Sequence, residues 1–435
     1  MALAFDRPDV DAGLPPSFWA AAAPPGPALP VFEGDARTDV AIIGAGFTGL
    51  STALHLRAAG VDCTVLEIAE IGWGASGRNN GQVIPNLSRA DPAAIVKAYG
   101  AAGERLVALL RDSADILFDL VRAHAIDCDA EQTGWIQPAH RPDRLKVSER
   151  RVAQWSKAGA KVDLLDRAQV AALTGSDSYH GGFSMPSGGH INPLALTRGL
   201  ARAAAAAGAN IFVRSPATAL NEDGDGWRID TPRGSLRARA LVLATNAYTT
   251  GILPDVAHTL VPVRSWQVAT QPLGDNVRKS VIPGRQAVSD TRGDLGFFRW
   301  AAGGRLVTGR ALWHTVGAPE QLARLVNERL AQTFPQIGPV RLDYIWNGFV
   351  GMTPDMLPHL YRLGRTGFAW TGCNGRGVSL AVALGRELAA AARGVDPETL
   401  ALPFTAIKPL PFHALATRLA PLALLQKRRQ DARAL

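Results

Sequence analysis

The glycine-rich segment GAGFTG at 44–49 constrains the fold of this chain more than any other feature. A short apolar run at 39–43 precedes it and a helical run at 50–59 follows it, which predicts a strand, a tight turn and a helix. Glycines in this pattern permit the turn, the close approach of backbone to a pyrophosphate, and close helix packing. The N–H groups and positive dipole end of the helix stabilise phosphate charge there. Six residues alone are a weak signal.

An acidic residue strengthens the interpretation. A second strand is predicted at 61–67, and Glu67 closes it at about the separation expected of a carboxylate that binds a ribose. The β-α-β unit therefore predicts a dinucleotide site, and the carboxylate disfavours NADP because it repels a ribose phosphate. The alternative is that Glu67 is an ordinary surface acid after a strand.

Composition sets the broad class. The 435 residues include no low-complexity tract, carry a formal net charge of +8 and contain three widely spaced cysteines. The basic residues are scattered, so we expect no nucleic-acid binding, and the cysteines lack the spacing of a metal site or a disulfide framework. The chain is therefore expected to bind no metal. With neither a secretory start nor an uncharged apolar span, it is expected to be cytoplasmic.

Further along the chain, the periodicity changes several times. Helices are predicted at 91–121, 193–207 and 319–333, and strands at 210–213, 227–231 and 240–243. Short aromatic strands follow from 260 to 350, and a strand, a glycine turn and a helix return at 368–393. The tail from Pro403 predicts an amphipathic basic helix, for which peripheral membrane contact, a partner surface and a packed C-terminus are the alternatives.

A second loop of small residues, GWGASGRNNGQ at 72–82, lets backbone approach a ligand closely and is not required for NAD. Together with GAGFTGLSTALHLRAAG, GGHINPLALTRGLARAAAAAGANI, LVLATNAYT and WTGCNGRGVSLAVALGRELA, this loop resembles the D-amino-acid-oxidase superfamily of flavoproteins. The resemblance covers about residues 38 to 395 and is closest to the γ-glutamylputrescine-oxidase-like and sarcosine-oxidase-like branch. It implies that the dinucleotide is FAD.

The fold class predicted is α/β (α+β overall), a Rossmann-like FAD-binding domain with an inserted antiparallel-sheet substrate domain. The predicted divisions are an N-terminal arm at 1–37, a discontinuous FAD-binding domain at 38–90, 180–255 and 350–400, a substrate-binding or cap domain at 91–179 and 256–349, and a C-terminal tail at 401–435.

The resemblance also assigns cofactor contacts, because the loop is expected along the flavin and the turn at 375–378 near the flavin ring. The expected cofactor-binding residues are Gly44, Gly46, Phe47, Thr48, Gly49, Glu67, Ser76, Gly77, Arg78, Asn79, Gly81, Gln82, Ala217, Ala244, Thr245, Asn246, Trp346, Gly348, Asp355, Gly372, Asn374, Gly375, Arg376, Gly377 and Val378. A glycine turn that opens a helix also stabilises an anionic reduced flavin, or it is simply a structural turn.

The reaction implied is hydride transfer from the carbon bearing an amine to flavin, giving an imine that hydrolyses. Arg78 and Arg376 are the preferred charged candidates because both lie in glycine-rich loops, and a surface arginine is the alternative for each. Trp266 and Trp300 are the candidates for the wall of a substrate cavity, with core packing as the alternative.

Departures from the family pattern restrict the prediction. No histidine or cysteine matches the positions of covalent attachment, so FAD is expected to be non-covalent, and Ser379 replaces a carboxylate-binding lysine of sarcosine-oxidase relatives. The substrate is expected to be an amine, a polyamine derivative or an N-substituted amino acid, with oxygen as acceptor. The alternatives are a dehydrogenase that passes electrons to a quinone or carrier, and a flavin-containing protein that modifies or binds RNA.

Overall fold

The computed structural model describes residues 13–249, 251–293, 296–312 and 315–420. The basic part of the predicted C-terminal helix, beyond Ala420, lies outside the described residues, as does the start of the arm. Within these ranges the chain forms two large mixed sheets with helices packed around them.

The secondary-structure elements are numbered here in chain order. The helices are α1 Phe18–Ala22, α2 Phe47–Ala58, α3 Pro92–Tyr99, α4 Ala101–Ala123, α5 Leu145–Lys157, α6 Arg167–Thr174, α7 Pro193–Ala206, α8 Pro254–Ala257, α9 Asp275–Ser280, α10 Ala318–Thr333 and α11 Gly377–Ala392. The strands are β1 Gly34–Ile43, β2 Cys63–Leu66, β3 Gln82–Val83, β4 Trp135–Pro138, β5 Asp163–Leu165, β6 Gly182–Met185, β7 Gly189–His190, β8 Asn210–Phe212, β9 Ala219–Asp223, β10 Gly226–Thr231, β11 Gly234–Leu243, β12 Val261–Thr270, β13 Ala287–Ser289, β14 Phe297–Ala301, β15 Arg305–Arg310, β16 Leu342–Met352, β17 His359–Leu363, β18 Gly367–Thr371 and β19 Phe404–Thr405.

The first sheet has a parallel centre, in the order β18-β11-β1-β2-β8. Its register pairs Ile43 with both Leu66 and Leu243, so the carboxyl ends of β1, β2 and β11 lie side by side. At these ends β1, β2 and β11 are rich in buried aliphatic residues because helices cover the sheet, as parallel sheets require. In open sheets of this kind, ligands bind at the carboxyl edge.

The second sheet runs β16-β12-β15-β14-β13-β4-β6-β5 and is antiparallel except where β13 meets β4. Its strands come from two separate stretches of the chain. The first stretch contains β4 to β6, and the second follows β11 and contains β12 to β16. The parallel sheet and the largely antiparallel sheet confirm the predicted fold class. The predicted domain boundaries remain a prediction.

The structure differs from the expected elements at three places. In the arm, which was predicted to be extended, residues 18–22 form α1, and Phe18 and Trp19 are buried. The single helix predicted at 91–121 is two helices because Gly100, with φ of 57°, ends α3 before α4 begins. In the tail, β19 pairs with β17 of the first sheet.

Within the described ranges, no helix has the length and apolarity needed to cross a membrane.

Asp91, the residue before α3, forms an ionic junction between α3 and α5. Its carboxylate accepts hydrogen bonds from Nε of Arg150 at 2.9 Å and from Nε of Arg151 at 2.8 Å. The side chains of Asp91 and Arg151 are only 8% and 5% exposed, whereas Arg150 is 54% exposed. Arg151 also donates to Gln137 Oε1 and to the carbonyl of Ser88. The buried half of this junction therefore holds β4 and α5 together.

We expect Asp91→Ala to destabilise the protein by about 3–5 kcal/mol, because it leaves Arg151 buried without its carboxylate. Arg150→Ala is the matched control and should cost no more than about 1 kcal/mol, since that arginine is exposed. Thermal denaturation followed by circular dichroism distinguishes the two. Equal melting temperatures for both variants would contradict the prediction.

Candidate cofactor-binding and active site

The glycine turn lies at the carboxyl edge of the first sheet. Gly44 has φ of 103°, a backbone conformation that favours glycine, and its N–H donates to the carbonyl of Leu66 at 2.9 Å. A Cβ on Gly49 would lie 2.0 Å from the carbonyl oxygen of Gly44, so only glycine allows α2 to begin directly after the turn. The N-terminus of α2 consequently opens at this edge, where its N–H groups can receive a phosphate.

Glu67 immediately follows β2 and touches the turn. Its Oε2 accepts a hydrogen bond from the N–H of Ala45 at 2.7 Å, and its Oε1 accepts one from the N–H of Ala69 at 3.2 Å. The side chain is buried, and burial raises the pKa of this carboxyl. A buried carboxylate beside the turn is suited to accept hydrogen bonds from ribose hydroxyls.

The loop at 72–82 packs against the same turn. Ser76 Oγ accepts a hydrogen bond from the N–H of Phe47 at 3.0 Å, and a Cβ on Gly46 would lie 2.7 Å from this oxygen. The two glycine-rich segments, 29 residues apart in sequence at this hydrogen bond, thus form one continuous wall.

A cavity of about 1000 Å³ lies between the two sheets, against this wall. Small-molecule sites usually measure roughly 300–1000 Å³, so this cavity has room for a large cofactor together with a substrate. The expected cofactor residues that line it are Gly44, Gly46, Phe47, Thr48, Glu67, Ser76, Arg78, Asn79, Gln82, Ala217, Ala244, Thr245, Asn246, Gly348, Asn374, Gly375, Arg376, Gly377 and Val378. Those outside its lining are Gly49, Gly77, Gly81, Trp346, Asp355 and Gly372.

Arg78 is engaged within the loop itself. Its Nε donates to the carbonyl of Trp73 at 2.5 Å, its Nη1 donates to the carbonyl of Asn347 at 3.3 Å, and its guanidinium stacks on the Trp73 ring at 4.3 Å. These contacts tie the loop to β16. The structure thus brings Arg78 to the cavity wall mainly as an anchor of the loop.

Arg376 has a different environment. It lies at the N-cap position of α11, and its guanidinium stacks on the Trp135 ring at 4.7 Å. Its buried Nη1 finds no hydrogen-bond partner in the described part of the chain. Burial, and then the neighbouring charge of Arg151, lower the pKa of Arg376. An anion in the cavity beside this guanidinium would stabilise its charged form.

The predicted tryptophans Trp266 and Trp300 do not line this cavity. Both are buried, and their Nε1 atoms donate to the carbonyls of Leu312 and Val281 respectively. Satisfied indole donors inside the second sheet indicate packing, which was the alternative for each. Trp346 is also buried, and its Nε1 donates to the carbonyl of Arg78, so it supports the loop from behind.

The sequence interpretation missed a group of arginines on the far side of the cavity. Five of them line it besides Arg78 and Arg376, against two acids, Glu67 and Asp290, among the described lining residues. No motif links them, because they come from a turn, from α5 and from the loop after β13. The five are Arg89, Arg144, Arg150, Arg151 and Arg292.

Comparison with known proteins identifies the class. The sequence model of the DAO family, described as FAD dependent oxidoreductase, matches residues 39–391, and the chain belongs to this family. It is 32% identical to gamma-glutamylputrescine oxidoreductase of Escherichia coli (strain K12) over 87% of this chain and 89% of that protein. It is 30% identical to the probable oxidoreductase OrdL of Rhizobium meliloti (strain 1021), over 88% of this chain and 89% of that protein.

Among solved structures, glycine oxidase from Geobacillus kaustophilus superposes with a TM-score of 0.70 at 22% identity, covering 86% of this chain and 98% of that one. This likeness shows the shared fold. The chain is thus an FAD-dependent oxidoreductase, and the cavity fits the cofactor of the family. The close approach of Gly44 and Gly49 leaves α2 open to a pyrophosphate, and Glu67 stands beside it.

We expect Glu67→Gln to raise the dissociation constant of FAD about tenfold or more, since a hydrogen bond to a charged group contributes roughly 1.5–3 kcal/mol. Glu70→Gln is the control, because Glu70 is a half-buried acid three residues away that pairs with Arg214. Titration of the apoprotein with FAD, followed by quenching of flavin fluorescence, measures both. An unchanged constant for Glu67→Gln would show that the carboxylate does not contact the cofactor.

Proposed function

We propose that this enzyme oxidises the C–N bond of an amine, a polyamine derivative or an N-substituted amino acid that also carries a carboxylate. The observation that carries this proposal is Arg376, which lines the cavity and whose guanidinium makes no hydrogen bond or ion pair within the described residues. A guanidinium is suited to bind a carboxylate through two parallel hydrogen bonds. Stacking on Trp135 fixes the plane of the guanidinium and hence the direction from which a carboxylate binds.

FAD, when bound, supplies the two-electron acceptor for the hydride of the substrate C–H bond. The protein contributes positioning: Arg376 fixes the carboxylate, and the walls of the cavity restrict the orientation of the amine. The amine must be neutral when it reacts, and a cavity whose charged lining residues are mostly arginines disfavours an ammonium ion.

The relatives support the same substrate class. The name of the Escherichia coli relative states a γ-glutamyl conjugate of a polyamine, which has both an amine and a carboxylate. The charge of the cavity agrees in sign, since seven arginines line it. Arg150 and Arg151 pair with Asp91, and Arg292 pairs with Asp290, whereas Arg376 has no carboxylate partner in the described part of the chain. A substrate carboxylate would supply that partner.

Anaerobic bleaching of the flavin absorbance tests the proposal. The substrates are presented in matched pairs, each amine with and without a carboxylate, and the set includes amino acids and γ-glutamyl amines. We expect bleaching with members of the carboxylated series. Bleaching only by amines that lack a carboxylate would contradict the role of Arg376, and no bleaching by any amine would contradict the proposed reaction.

We expect Arg376→Gln to raise the KM for a carboxylated substrate about 10- to 100-fold, because a hydrogen bond to a charged group contributes roughly 1.5–3 kcal/mol. The control is Arg393→Gln, which alters an exposed arginine at the other end of α11. Steady-state kinetics with the carboxylated and uncarboxylated members of a pair separates the effects. A similar loss with both members would mean that Arg376 does not bind the carboxylate.

The cofactor is proposed to be held without a covalent bond. Cys373 is the one cysteine among the described lining residues, and burial raises the pKa of its thiol, which disfavours the nucleophilic thiolate. No histidine occurs among the described lining residues. We therefore expect acid precipitation to leave the yellow colour in the supernatant. Colour that stays in the washed protein pellet would show a covalent bond.

Oxygen is the proposed electron acceptor, and a quinone or carrier protein is the second candidate. The second candidate is favoured by the absence of lysine from the described lining residues, where a mobile ammonium group would promote reaction with oxygen. Hydrogen peroxide formed in proportion to the oxidised amine supports the first. Turnover with an artificial dye but not with oxygen supports the second.

A further inference from the structure

Four successive carbonyls of the loop at 72–82, those of residues 78–81, each accept a hydrogen bond from a group outside the loop. Trp346 Nε1 donates to Arg78 at 2.9 Å, Trp19 Nε1 to Asn79 at 2.8 Å, Arg299 Nε to Asn80 at 2.8 Å, and the N–H of Ile191 to Gly81 at 2.8 Å. Such bonds fix the peptide planes of residues 78–81, which lie between a 3-10 turn at Ala75–Gly77 and β3.

The three side-chain donors form one unit, named here the loop clamp: Trp19, Arg299 and Trp346. The rings of Trp19 and Trp346 meet edge to face at 5.6 Å, and the guanidinium of Arg299 lies 4.6 Å from the Trp19 ring. All three are at most 2% exposed. Because Trp19 contacts both other members, the geometry of the clamp depends on it.

Trp19 reaches the clamp from the N-terminal arm. It lies in α1, a short helix whose N-cap is Ser17, and the family match begins only at residue 39. The arm thus lies outside the residues that the family model matches. The indole N–H of Trp19 donates its hydrogen bond to the loop that lines the cavity.

Arg299 makes no direct ion pair in the described part of the chain, and the carboxylates of Asp129 and Glu131, which line a small cavity with it, act on its charge only at longer range. Its Nη1 lies 2.9 Å from His190 Nδ1, and burial lowers the pKa of the guanidinium to about 9. A Cβ on Gly81 would lie 3.0 Å from its Nη2, so its charge stands directly behind the loop.

We propose that the loop clamp positions the loop at 76–82 against the flavin, so that Trp19 and Arg299 are positioning residues that set the affinity and the reduction potential of bound FAD. The inference rests on the proposed function, since it requires FAD in the cavity. The residues whose carbonyls are fixed from behind include Arg78, Asn79 and Asn80, which line the cavity. The charge of Arg299 stabilises negative charge that develops in front of the loop on reduction.

The decisive variant is Trp19→Phe, which keeps an aromatic ring for Trp346 and Arg299 but removes the donor to Asn79. We expect the dissociation constant of FAD to rise about 3- to 10-fold, the range for one hydrogen bond. The flavin absorption spectrum and reduction potential should shift as well. Arg299→Met should make the reduction potential of bound FAD more negative. Arg299→Lys keeps the charge and should have a potential close to that of the wild type.

Trp227→Phe is the matched control. Trp227 is also buried, but it packs in the first sheet away from the cavity, and its Nε1 finds no hydrogen-bond partner within the described residues. This variant should bind FAD as the wild type does. Trp19→Phe with a wild-type affinity, spectrum and potential would overturn the inference, and so would equal losses in the two tryptophan variants.

Ser17→Ala provides a second test in case Trp19→Phe does not fold, because it removes only the cap of α1. It should raise the dissociation constant of FAD about 2- to 3-fold. If Trp19→Phe does not fold, a wild-type dissociation constant for Ser17→Ala would overturn the inference. Failure here is distinguishable from failure of the proposed function. A wild-type protein that binds no FAD would contradict both, whereas one that binds FAD and is bleached by amines leaves only the clamp in question.

Discussion

The contact between the start of α2 and the glycine turn is the constraint on which the site depends. Because the Cα of Gly49 lies against the carbonyl of Gly44, α2 begins at once after β1 and opens at the carboxyl edge of the sheet. The parallel register then brings the ends of β2 and β11 to the same edge. The acid after β2, the small residues after β11 and the loop at 72–82 all meet there because the strands end together.

Local features of this site could be predicted from sequence, since their cause is local. The turn follows from the glycine spacing, and Glu67 follows from the fixed length of a helix and a strand. The likeness to a family added the loop and the turn before α11. The break at Gly100 was missed because the apolar period of α3 and α4 continues across it.

Features built by distant segments could not be predicted in this way. Arg151 reaches the cavity because α5 packs beside β4 of the second sheet, and no spacing within α5 indicates that contact. The arm was predicted to be extended from its proline, alanine and glycine content, although five residues suffice for a helix that buries Trp19. Here tertiary contacts outweigh local propensity. Trp266 and Trp300 are the opposite case: they were candidates for the cavity wall, but they pack inside the second sheet, as aromatic residues in strands most often do.

The walls of the cavity come from both sheets: Ile43 and Trp370 belong to the first, and Gln137, Gln267 and Phe349 to the second. A molecule bound there bridges the sheets, and its binding free energy adds to the contacts that hold them together. A free ligand concentration 100 times the dissociation constant adds about 2.7 kcal/mol to the stability of the folded state. Because net stabilities of folded proteins are only about 5–15 kcal/mol, the amount of folded enzyme in a cell is thermodynamically coupled to the supply of flavin.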